Sequence, residues 1–129
     1  QKIVATNANG VLDSTLLGES GDTVVQLPFN PNLVIDASQG KTFRVTLTAG
    51  VTILPPVNPT DGQEIHLELT QDAIGGRTCV LSPIAFQFGV NLTSANFVLS
   101  TTANATDFTS FKYRANVAKW AVLGLMKGY

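Results

Sequence analysis

His66 is the only histidine among the 129 residues, so an imidazole base, a nucleophilic triad or a histidine metal ligand would have to use it. It lies in Glu64-Ile65-His66-Leu67-Glu68-Leu69, a strict alternation of polar and apolar residues. In an extended strand this alternation puts His66 on one face with Glu64 and Glu68, each about 6.6–6.8 Å away along the chain. A zinc-type centre needs donors within about 2.0–2.2 Å of one ion, and the chain has no second histidine or cysteine to complete such a set. A polar outer face is the expected role of the trio.

The lone cysteine, Cys79, stands in Thr78-Cys79-Val80-Leu81 with Arg77 two residues before it. A nearby guanidinium would activate an exposed thiol, but the apolar run predicts a buried one that packs as a small hydrophobe. One cysteine also excludes an internal disulfide framework. Glycosidase chemistry needs two carboxylates about 5–9.5 Å apart, a spacing that nine acidic residues on sheet faces produce by coincidence. Seven of the ten aromatic residues are Phe, which points to core packing rather than to sugar-stacking platforms. No phosphate loop, Gly-x-Ser-x-Gly elbow or dinucleotide fingerprint occurs. Asn91-Leu92-Thr93 and Asn104-Ala105-Thr106 match the glycosylation pattern, as chance matches do in a chain rich in Asn and Thr. No catalytic, cofactor-binding or metal-ligating residue is assigned, and a non-enzymatic role is expected.

The elements that carry these residues are short runs of Val, Ile, Thr and Phe punctuated by Gly, Pro, Asn and Asp. The pattern predicts strands at 23–27, 33–36, 41–47, 51–54, 63–71, 77–81, 86–90, 97–99, 106–114 and 119–125. Ile65, Leu67 and Leu69 are expected in the core, and Glu64, His66 and Glu68 outside it. Asn58-Pro59-Thr60-Asp61-Gly62 reads as a turn with Gly62 at positive φ. Asp72-Ala73-Ile74-Gly75-Gly76 is expected to fold 63–71 and 77–81 into a hairpin, and Ala115-Asn116-Val117-Ala118 to close a last one. Phe86 and Phe88 should turn their rings to one side. The fold class is therefore all-β: a two-sheet antiparallel sandwich, jelly-roll-like, spanning 22–129.

Residues 1–21 differ, because Asn, Asp, Ser and Gly interrupt Ile3, Val4, Val11, Leu12, Leu16 and Leu17. They read as an extended N-terminal arm, too apolar for a solvated linker. The six apolar residues are the candidate partner-binding set. The arm is expected to order against a partner rather than against its own core, since ordering some twenty residues at about 1–2 kcal/mol each offsets what their burial would contribute.

Charged residues make up 13% of the chain, against roughly 25% in an ordinary domain, which suggests that part of the surface is covered by partners. Eight basic residues nearly balance nine acidic ones without clustering, so nucleic acid is not an expected ligand. No apolar run approaches the roughly 20 residues of a spanning helix, so no membrane association is expected.

Several segments then read together: Asn58-Pro59-Thr60-Asp61-Gly62-Gln63, Leu69-Thr70-Gln71-Asp72, Gly75-Gly76-Arg77-Thr78, Ser100-Thr101-Thr102-Ala103-Asn104-Ala105-Thr106-Asp107 and Lys119-Trp120. In order and spacing the series resembles a β-sandwich module of virion structural proteins of tailed bacteriophages, which include capsid decoration or cement proteins and tail fibres. The resemblance covers roughly residues 29–129. Thr6-Asn7-Ala8-Asn9-Gly10-Val11-Leu12-Asp13-Ser14-Thr15-Leu16-Leu17 is similar to connecting segments of phage appendage proteins. Ser82 to Asn96 departs from the pattern, being poorer in Pro, Gly and Trp.

The resemblance implies no catalytic residue and no cofactor. The expected function is a cement protein on the outer head surface of the virion, bridging major capsid protein subunits and associating with itself as a dimer or trimer. Near-neutral charge favours the outside of the head, away from packaged DNA. The alternatives are a distal tail-fibre module that binds a host receptor or glycan, and a carbohydrate-binding or hydrolytic appendage.

Overall fold

A computed structural model describes residues 24–129. The arm residues Ile3, Val4, Val11, Leu12, Leu16 and Leu17 lie outside the described part. The described residues are β-rich and hold no α-helix, only one 3-10 turn at Ser94–Asn96. Nine strands follow in order: β1 Val24–Gln26, β2 Asn32–Leu33, β3 Thr42–Leu47, β4 Val51–Ile53, β5 Glu64–Gln71, β6 Cys79–Leu81, β7 Phe86–Gln87, β8 Thr106–Arg114 and β9 Lys119–Met126. Each overlaps an expected run, and all but β2, which begins one residue early at Asn32, start within it. The run at 97–99 is the exception: it leaves the 3-10 turn without pairing, although Phe97 and Leu99 are buried.

Two sheets form, one ordered β1-β3-β5-β8-β9-β7 and the other β2-β4-β6. Through β6 the chain alternates between them, which makes β1-β3-β5 and β2-β4-β6 parallel ladders. This corrects the antiparallel expectation. Among the described residues only β5-β8 and β8-β9 pair antiparallel, so the large sheet is mixed. Jelly rolls are built from antiparallel strands, and these ladders depart from that pattern. Alternation along a strand reports which face is buried and carries no information about strand direction.

The expected hairpin of 63–71 with 77–81 is also corrected, because β5 belongs to the large sheet and β6 to the small one. Gln71 and Asp72 explain the switch. Buried Gln71 accepts the Arg77 N–H through Oε1 at 2.8 Å and donates through Nε2 to the carbonyls of Arg77 and Ser100, each at 2.9 Å. Asp72 Oδ1 accepts the N–H groups of Ile74 and Gly75, while its carboxylate pairs with the Arg77 guanidinium at 2.8 Å. Backbone groups that a hairpin would have used on a partner strand are satisfied by side chains instead. Gly75, at φ +79°, presses against the 101–103 backbone, where a Cβ would lie 2.5 Å from the Thr101 carbonyl oxygen.

Register builds the core in layers. Val25, Phe43 and Leu67 stand side by side across the large sheet, and Leu33, Ile53 and Leu81 across the small one. Buried side chains of both sheets belong to a single cluster. Ile65, Leu67 and Leu69 are buried as expected, and the last hairpin forms with Trp120 inside. Phe86 is buried on Phe111 at 4.8 Å between ring centroids, whereas Phe88 is half-buried on Phe97.

Candidate functional site

β5, β8 and β9 lie side by side in the large sheet, and their outward residues form one continuous surface. Period-two alternation aims Glu64 and His66 outward from β5, and Phe108 and Ser110 from β8. A register shift at Ser110/Phe111 makes a bulge in β9: Ser110 pairs with Gly124 and Phe111 with Val122, leaving Leu123 as the extra residue. Leu123 keeps the outward phase of Lys119 and Ala121 and is 51% exposed, and the shift of phase at the bulge turns Met126 outward as well. The buried Thr109 hydroxyl donates to the Gly124 carbonyl at 2.8 Å and fixes the bulge.

Phe108 pairs with Met126 across β8 and β9, and its ring meets that of Tyr129 edge-on at 5.1 Å. Phe108 is 36% exposed, Met126 62% and Tyr129 69%. Phe108, Leu123 and Met126 line one shallow depression with Glu64, His66, Ser110 and Gly124. Water would ordinarily be expected over polar side chains here, yet four large apolar ones share the surface. Polar pairs flank it: Arg44 Nε donates to Glu68 at 2.8 Å, and Lys112 faces Glu64 in register. An apolar centre with a polar rim is the anatomy of a protein–protein contact.

His66 makes its own contact within the sheet, sharing a 2.7 Å hydrogen bond between Nδ1 and Ser110 Oγ. Glu64, His66 and Glu68 remain on the outer face, in agreement with the alternation. Among the described residues no group of three His, Cys, Asp or Glu side chains converges as metal donors would.

Cys79 is buried, and desolvation pushes its thiol up to about 12. Arg77 lines the same small cavity of about 140 Å³ with Phe97 and Leu99, but its guanidinium is engaged by Asp72. The Arg77 side-chain hydrogen bond, with the N–H groups of Gly75 and Ile74, in turn holds Asp72 down at about 2. Thiol activation by Arg77, one reading of the sequence, is therefore not what the geometry produces. The depression beside His66 measures about 260 Å³ and a third hollow, by Arg114 and Phe88, about 280 Å³. Both fall below the roughly 300–1,000 Å³ of ordinary small-molecule sites.

Sequence reasoning missed Phe108, Leu123, Met126 and Tyr129. Alternation flags Phe108 and Leu123, since each falls on the polar phase of its strand, but nothing in the sequence announces the bulge that moves Met126 from the phase of buried Trp120 and Val122 to the outside. No protein-family model matches the chain, and no curated protein shows significant sequence similarity to it.

Proposed function

We propose that this protein is a non-enzymatic structural module of a tailed-phage particle, working by docking to other virion proteins through the outer face of its large sheet. The observation that supports this most is the cluster of Phe108, Leu123, Met126 and Tyr129 in the open, rimmed by paired charges. Low charge and the segment resemblance point the same way. In this reading the two sheets are the faces of one sandwich-like body whose shared core makes a rigid platform for that face.

Two placements follow. On the head surface the module bridges major capsid protein subunits as a cement, a role that near-neutral charge suits. In a tail fibre it is a distal module, and the parallel ladders favour this second reading: among the described residues β1 and β2, the strands nearest their start, are the end strands of their sheets, where further structure can stack. Quantitative mass spectrometry on gradient-purified particles, with heads and tails separated, tests both. The chain is expected at fixed copy number, in heads for a cement and in tails for a fibre module. Its absence from both fractions would overturn the proposal.

A further inference from the structure

Away from the Arg44–Glu68 pair, the last hairpin gathers three cations at one corner of the outer face. Lys112 and Arg114 point outward from β8, about 6.6–6.8 Å apart along the strand, and Lys119 of β9 stands opposite Arg114 in register. Like charges directly opposite each other on a sheet repel, so this arrangement costs the isolated fold some stability. Among the described residues no carboxylate forms an ion pair with any of the three. Glu64 faces Lys112 in register without such a pair, and Asp61 Oδ1 accepts the Ala115 N–H at 3.0 Å.

Neutral groups hold the cations in place instead. Lys119 Nζ donates to the carbonyls of Pro83 at 3.0 Å and Ile84 at 2.7 Å, and Arg114 Nη1 donates to Gln87 Oε1 at 3.3 Å. A guanidinium carries five N–H donors in a planar fork, so one long contact leaves most of them for a ligand. Arg114 lines the hollow of about 280 Å³ together with Gln87, Phe88, Gly89, Ala121 and Val122. Ala121 belongs to this hollow, and Leu123, two residues on, belongs to the apolar depression, so both open on one face. A protein surface docked over the apolar side chains therefore covers the corner as well. Covering strips water from cations that the fold leaves unneutralised, which is unfavourable unless the partner brings opposite charge. A small free anion would engage the hollow alone and leave the apolar side chains open.

We propose that the partner docked on this face presents an Asp or Glu side chain beside its apolar contact, and that Arg114, flanked by Lys112 and Lys119, receives the carboxylate in the hollow by Phe88. The fork of Arg114 matches a carboxylate bidentately, and the two lysines add point charges around it. This inference rests on the docking reading and names the chemistry of the partner.

Co-sedimentation with particles that lack the protein tests it, using Lys112→Glu, Arg114→Glu, two exposed positions. At about 0.1 M salt this double variant, with an unchanged melting temperature, should bind at least about tenfold more weakly than the native protein. About 1 M salt should close most of the gap, because the screening length falls from about 10 Å to about 3 Å. Equal binding at about 0.1 M salt, with the native protein saturating the particles, would overturn this inference and leave the docking face standing. A loss that high salt leaves intact would overturn the charge pairing in the same way. No binding by the native protein would overturn both readings. Self-association of the isolated native chain that the double variant abolishes would make a second copy the occupant, and would overturn the inference too.

Discussion

Leu67 lies without exposure between Phe43 and Thr109 in the register of the large sheet, and truncation to alanine should cost about 2–5 kcal/mol in urea unfolding. His66→Ala, one residue away on the outer face, should cost under about 1 kcal/mol. Comparable losses at both positions would contradict the assigned faces. Asp72 provides the pH-sensitive contact. Its folded pKa of about 2 lies below the ordinary 3.8, so the Arg77 clamp contributes stability fully above about pH 4 and loses it as pH falls through about 2. The stability difference between the native protein and Asp72→Asn should accordingly be present at pH 7 and shrink between pH 4 and 2. A difference constant across that window would rule out the clamp. Cys79, buried with its thiol raised to about 12, should resist alkylation at pH 8 until urea opens the fold.

Elements were legible in the sequence where alternation decided them. Glu64 to Gln71 is the clearest case, because one buried face imposes period two, and β8 and the first half of β9, up to its bulge, follow the same logic. Pairing was not legible from alternation. Gln71 and Asp72 look like ordinary turn-flanking residues, yet their side chains take the backbone groups of 74–77 and send the chain to the other sheet. The signal that would have found the parallel ladders is the recurrence of apolar positions at 25, 43 and 67 and at 33, 53 and 81, a winding rather than a hairpin spacing. Gln71→Leu tests this account of the switch. It should cost about 1–3 kcal/mol, because the Arg77 N–H and the carbonyls of Arg77 and Ser100 lose their partner. An unchanged urea midpoint would mean that the crossing is held elsewhere.

At the scale of the molecule, a stable body presents one outward surface whose composition departs from that of a water-facing sheet. The candidate residues suggested by chemistry, His66 with Glu64 and Glu68, stand on that same surface, but as its polar part. Its apolar part comes from the last hairpin and the C-terminal Tyr129, which turns back so that its N–H donates to the Thr106 carbonyl at 3.0 Å. Buried Asp107 secures the same end by accepting the Gly128 N–H at 2.9 Å and the Ser100 N–H and hydroxyl. The proposed docking face is thus part of the core's own closure. The most direct test is co-sedimentation of the purified full chain with virus particles from a mutant lacking it, comparing the native protein with Leu123→Glu, Met126→Glu. Native protein should saturate the particles at a fixed stoichiometry, and the double variant, with an unchanged melting temperature, should bind at least about tenfold more weakly. Equal binding by the two proteins, or no binding by either, would contradict docking through this face.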